Sequence, residues 1–167
     1  MKKRRPARHV ARAALIAALY IVLTALASML GLSSGAIQVR FSEALTVLPL
    51  FTSAAVPGLF IGCVLSNILT GAVIWDVIFG GLATLLGAIG TRKLRHLLIA
   101  GKPYPALLPP IIANTLIVPF VLSYAYGMEE AIPFLMLTVG AGEVISCGIL
   151  GTILMTALYP RRNDLFR

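Results

Sequence analysis

The sequence predicts an all-α, polytopic membrane protein, a single domain of six transmembrane helices with both termini in the cytoplasm. Three observations predict it. The chain of 167 residues is 59% hydrophobic, with a mean hydropathy of +0.94, which is more apolar than soluble domains. Its apolar runs approach the ~20 residues that cross a bilayer. Its basic residues gather in three flanks. Lys2, Lys3, Arg4, Arg5, Arg8 and Arg12 lie at the start, Arg92, Lys93, Arg95 and Lys102 in one loop, and Arg161, Arg162 and Arg167 at the end. Basic clusters confined to helix flanks follow the positive-inside rule. The net charge of +8 therefore reflects topology rather than a nucleic-acid surface. The expected surroundings are a lipid bilayer.

Each element follows in order. Residues 1–9 are a basic leader, and 10–30 form the first span. Ala25-Leu26-Ala27 resembles a signal cleavage site, but the apolar run is longer than a signal's core, so it is read as a helix. Ala7, Ala11, Ala14, Ala18 and Ala25 fall near one helical stripe, with Ala13 and Ala17 beside it. Small residues four apart let another helix approach closely, either one of this chain's own or a partner's. Gly31 to Gly35 reads as a loop. Residues 37–53 form a short second span interrupted by Pro49. The third span covers 55–70, with Pro57 in its first turn. Gly71 and Ala72 make a tight turn into the fourth span, 73–91. The basic loop follows. The fifth span, 104–126, is expected to bend at Pro109, Pro110 and Pro119. After an acidic loop at Glu129 and Glu130, the sixth span covers 133–158. Parity supports this division. With all three basic flanks inside, the crossings before and after the loop must be even in number, and four then two satisfies that.

Polar residues inside such a chain are costly and are functional candidates by default. Arg40 and Glu43 open the second span from outside, where they either pair with each other or serve a site. Asn67 lies near the outer end of the third span. Trp75 and Asp76 begin the fourth, as belt and cap or as ligand contacts. Asn114 lies near the middle of the fifth, and Asn67 and Asn114 also suit interhelical hydrogen bonding. Glu143 lies about 15 Å into the sixth at 1.5 Å per residue, among Gly140, Gly142, Ser146, Cys147 and Gly148. All of these fall in the outer half or near the midplane, the arrangement of a pocket open to the outside. Three carboxylates, one guanidinium and two amides suit a planar, donor-rich or cationic molecule, with Trp75, Phe41 or Tyr124 stacking on it.

No phosphate-binding loop, nucleophile–base set or metal-ligand spacing is visible. Cys63 and Cys147 read as small core residues. An enzyme is not expected, nor a cofactor bound by this chain. Besides a binding subunit, two other classes fit: a proton-coupled secondary transporter using Glu143 or Glu43, and a structural membrane protein whose buried charges only pair.

The Ala-rich first helix, the stretch Ile37-Gln38-Val39-Arg40-Phe41-Ser42-Glu43-Ala44-Leu45, the Asn67 to Gly71 turn followed by Trp75-Asp76, and Gly142-Glu143 together carry a resemblance. Over nearly its whole length the chain resembles the substrate-binding S component of energy-coupling factor (ECF) transporters, and most closely the QueT group, proposed to import queuosine precursors. The resemblance implies a six-helix S-component fold in the cell membrane. It also implies partners: a transmembrane coupling protein and two cytoplasmic ATPase subunits that use ATP. Ala13 with Ala17, and Ala14 with Ala18, match the family's small-residue docking motif. The implied substrate is a 7-deazaguanine such as 7-aminomethyl-7-deazaguanine, with Glu143 and Asp76 as main anchors, Glu43, Arg40, Asn67 and Asn114 supporting, and Trp75 stacking.

Overall fold

Alanine and leucine fill the first apolar run, and it folds as α1, Arg4–Met29. A computed structural model of the protein describes residues 4–32 and 37–165, with side chains from residue 7 onward. Lys2 and Lys3 of the basic leader, Ser33, Ser34 and Gly35 of the expected loop, and Arg167 lie outside the described residues. α1 packs on α2, Ala55–Leu69. Two glycines make that contact close. A Cβ on Gly58 would stand 2.7 Å from the Ala13 carbonyl oxygen, and one on Gly62 would stand 3.1 Å from the Ala17 Cα. Backbones meet here because both glycines lack a side chain, with Ile16 and Tyr20 packed beside them, the small-residue packing that membrane helices use.

Between α1 and α2 the expected second span takes an unexpected form. Residues 38–40 are extended, and Phe41–Leu50 is a 3₁₀ helix. Runs of this helix beyond three or four residues are uncommon because its hydrogen bonds are poorer. This one is wrapped on all sides by α1, α3, α6 and a π-helical segment described below, and nearly every residue in it is buried. Pro49 lies inside it, and the Pro49 carbonyl accepts a hydrogen bond from the Arg92 guanidinium at 3.0 Å. At 2.0 Å per residue the segment spans about 20 Å, and α2 about 22 Å. Each is shorter than the ~30 Å apolar core of a bilayer.

Gly71, at φ +74°, turns the chain from α2 into α3, Ile74–Lys93, and Pro57 does occupy the first turn of α2. α4 is Leu108–Ala125. Pro109 and Pro110 fall in its first turn, where no amide hydrogen is needed, so they start the helix rather than bend it. Only Pro119 is interior. Those first prolines also seat the α3–α4 seam. A Cβ on Gly87 would lie 2.7 Å from the Pro110 Cα, and one on Gly90 would lie 2.4 Å from the Pro109 Cβ.

The last apolar run is continuous: α5, Ile132–Glu143, a π-helical segment, Val144–Leu150, and α6, Gly151–Leu158. Among the described residues, four stretches are long and apolar enough to cross a membrane, namely Ala7–Met29, Ile74–His96, Tyr104–Ala125 and Ile132–Leu165. With the shorter apolar helices they make an all-α, polytopic membrane bundle.

Candidate functional site

At one end of the bundle a polar cavity of about 620 Å³ opens between α1, the α2–α3 turn, the extended segment and the end of α4. Arg40, Asn67 and Asp76 line it together, as expected from sequence. Their convergence has local causes. The Gly71 turn, closed by the Ala72 amide donating to the Asn67 carbonyl at 2.9 Å, brings the end of α2 beside the start of α3. The Asn67 amide then donates to the Asp76 carbonyl at 3.1 Å. Gly80 leaves room for both, since a Cβ there would lie 3.1 Å from Asp76 Oδ1 and 3.2 Å from Asn67 Nδ2. Asp76 does not cap α3. Val73 holds that position without a side-chain bond, and the Asp76 carboxylate accepts from the Tyr126 hydroxyl at 3.1 Å across the cavity. A carboxylate in the first turn of a helix is favoured by the helix dipole.

Behind this cavity lies a second, buried group made of Glu43, Asn114 and Glu143. Glu43 is only 2% exposed. Its carboxylate accepts a hydrogen bond from the Tyr20 hydroxyl. The Thr46 hydroxyl donates to the Glu43 carbonyl at 2.6 Å. The Cys147 thiol donates to Glu143 Oε2 at 3.1 Å and lies 4.0 Å from Glu43 Oε2. The Asn114 amide neighbours both carboxylates. Oxygen or sulfur atoms, one each from Glu43, Glu143 and Cys147, all fall within 4.8 Å of one another, a cluster that sequence spacing does not reveal because Glu43 lies about a hundred residues from the other two. Arg40 joins the two groups. Its guanidinium is within electrostatic reach of Asp76 on one side and of Tyr20 and Glu43 on the other.

A missing side chain sets this geometry. A Cβ on Gly142 would stand 2.1 Å from the Gln38 carbonyl oxygen, so the extended segment crosses α5 in direct backbone contact. The Arg40 amide then donates to Ser146 Oγ at 3.1 Å.

Trp75 stands apart from both groups. It is 55% exposed and stacks on Phe79, with ring centroids 6.1 Å apart. It lines an outward-facing apolar groove of about 490 Å³ between α3 and α4, with Phe120 and Tyr124. Trp75 and Asp76 are successive residues about 100° apart on a helix, so turning Asp76 inward turns Trp75 outward. The stacking role expected of Trp75, and of Tyr124, therefore finds no place in the cavity. The alanine pairs divide as well. Ala13 and Ala17 face Gly58 and Gly62 of α2, whereas Ala14 and Ala18 are exposed, with Ala7, Ala11 and Ala25 on the same side.

Several residues around the cavity escaped the sequence reading: Thr24, Gln38, Tyr126, Met128 and Glu130 at its walls, and Tyr20 behind it. Tyr20 and Thr24 did leave a signal, two hydroxyl side chains four apart in an apolar run. Glu130 was read only as part of an exterior loop.

Apolar helices enclosing a charged cavity open at one end define a membrane transport protein. The chain belongs to the QueT transporter family, whose model matches residues 10–160. It is 41% identical over 73 residues to the queuosine precursor transporter QueT of Lactococcus lactis subsp. cremoris (strain MG1363). That alignment spans 44% of this chain and 43% of the relative, so less than half the length of each. No solved structure matches the chain significantly.

Proposed function

We propose that the protein is the substrate-binding S component of an ECF-type importer, and that it captures a queuosine precursor of the 7-deazaguanine class, such as 7-aminomethyl-7-deazaguanine, from outside the cell membrane. The observation that carries this reading is the meeting of Arg40, Asn67 and Asp76, drawn from three separate elements, at one cavity with Glu43, Asn114 and Glu143 behind them. The guanine edge offers N–H and NH₂ donors that suit a carboxylate bidentately, an amide suits its carbonyl, and the aminomethyl cation suits a second carboxylate. Asp76 and Glu143 are the main anchors in this reading. The named function of the lactococcal relative agrees with it.

In this reading the chain crosses the membrane six times. The 3₁₀ helix and α2 are the short crossings, shielded by the longer helices, and both termini and the basic loop are cytoplasmic. The chain itself binds no cofactor. ATP is hydrolysed by two cytoplasmic ATPase subunits, and a transmembrane coupling protein joins them to this chain. Ala14 and Ala18, exposed on α1, form the docking face, because Ala13 and Ala17 are already occupied by α2.

The test uses purified protein. Deazapurines are added in a thermal-shift series, and any co-purifying small molecule is identified by mass. A ligand at 100 times its Kd is expected to stabilise the fold by about 2.7 kcal/mol. No shift with any deazapurine would sink the substrate assignment. Uptake that follows a proton gradient and ignores the ATPase subunits would replace the importer reading with a secondary transporter.

A further inference from the structure

Tyr20 is 1% exposed and does not line the cavity. It is nonetheless aimed at the site. Its hydroxyl donates to Glu43 Oε1 across 23 positions of sequence. Glu43 in turn neighbours Asn114 and lies within electrostatic reach of Arg40 and Glu143. A carboxylate offers about four acceptor positions. Here one is taken by α1 and another by α4, and the Cys147 thiol of the π-helical segment stands beside the second oxygen. A carboxylate held this way has one orientation, and so do the groups that lean on it.

We propose that Tyr20 is a positioning residue for ligand binding. Its hydroxyl fixes the Glu43 carboxylate and, through it, the Arg40 side chain that lines the cavity. The inference rests on the reading of the preceding subsection. A second hydrogen bond between the same two elements supplies the control. The Thr24 hydroxyl donates to Ser42 Oγ at 2.9 Å, one turn from Tyr20, and Ser42, which does not line the cavity, can be changed to break that bond. If Tyr20 merely tethers α1 to the 3₁₀ helix, breaking either bond has the same effect.

The experiment measures the Kd of 7-aminomethyl-7-deazaguanine by calorimetry for the wild type, Tyr20→Phe, Ser42→Ala, Glu43→Met and the Tyr20→Phe/Glu43→Met double variant. Tyr20→Phe is expected to weaken binding about tenfold, the scale of a lost buried hydrogen bond, and Ser42→Ala less than about twofold. In the Glu43→Met background Tyr20→Phe should cost nothing further, since coupled residues are non-additive. Equal effects of Tyr20→Phe and Ser42→Ala, wild-type affinity in Tyr20→Phe, or additive losses in the double variant would each overturn the inference. Should Glu43→Met fail to fold, the Tyr20→Phe and Ser42→Ala comparison still decides. A wild-type protein that ignores the deazapurine removes the substrate reading and this inference together. A wild type that binds while Tyr20→Phe binds equally removes this inference alone.

Discussion

Gly142 sits where two backbones touch, and the site depends on its having no side chain. With the Gln38 carbonyl oxygen 2.1 Å from where a Cβ would be, even alanine must push the extended segment off α5 and carry Arg40 with it. Overpacking of this kind costs about 1–3 kcal/mol. Gly142→Ala should therefore lower the thermal midpoint and weaken ligand binding together, whereas Gly148→Ala, whose Cβ would meet nothing nearer than 3.7 Å, should leave binding intact. Glu143 makes the complementary case. Glu143→Gln replaces a buried carboxyl group while keeping its size. If the carboxylate pairs a donor edge, affinity should fall more than about tenfold, because buried hydrogen bonds to charged groups contribute ~1.5–3 kcal/mol. Titration calorimetry of the folded variant reads this directly, and unchanged affinity would remove Glu143 from the anchors. The costly residues Arg40, Asn67 and Asp76 were legible in the sequence as site members because charge and amide in an apolar run need a reason to be there. Tyr20 was less so, because a tyrosine in such a run needs none until its partner is known.

α1 presents three faces with three tasks. Ala13 and Ala17 accept the α2 glycines, Tyr20 and Thr24 reach the 3₁₀ helix, and Ala14 and Ala18 are exposed. The sequence could not separate the two alanine pairs, since both have the same spacing. Only the positions of Gly58 and Gly62 decide between them. The separation yields a test. If the chain docks as proposed, Ala14→Leu with Ala18→Leu should preserve melting temperature and ligand affinity but abolish co-purification with a coupling protein and ATPase subunits. Ala17→Leu should unfold the α1–α2 contact, because a branched side chain has no room beside Gly62. If the Ala14/Ala18 double variant still assembles, docking uses another face. The second span shows what periodicity cannot reveal. Its run of apolar residues fits an α-helix as well as a 3₁₀ helix, and the tighter winding is held by surroundings contributed by α1, α3, α6 and the π-helical segment. Likewise, the sequence offers Trp75 and Asp76 each as a ligand contact, but adjacent helical residues point to different sides, and only Asp76 lines the polar cavity.

At the scale of the whole molecule, the class of fold followed from hydropathy and charge placement, which act over long stretches and tolerate local error. The interior of the site did not. It depends on pairs such as Glu43 with Cys147, more than a hundred positions apart, and no local pattern carries that information. The basic flanks lead to one more expectation. If the N-terminus, the Arg92-to-Lys102 loop and the C-terminus are all cytoplasmic, a cysteine introduced at Lys102 should resist an impermeant thiol reagent in intact cells, and one introduced at Glu129 should react. The reverse pattern would invert the topology and with it the direction of capture.

The seam between α3 and α4 is of a different character from the rest of the bundle. Gly87 and Gly90 lie against Pro110 and Pro109 with no side chain intervening on the glycine side, and proline contributes no amide hydrogen that could open there. α1, by contrast, leaves most of one flank uncovered. Backbone deuterium uptake should therefore be slower along α3 than along α1, so that the α3–α4 wall is the last part of the binding chamber to open.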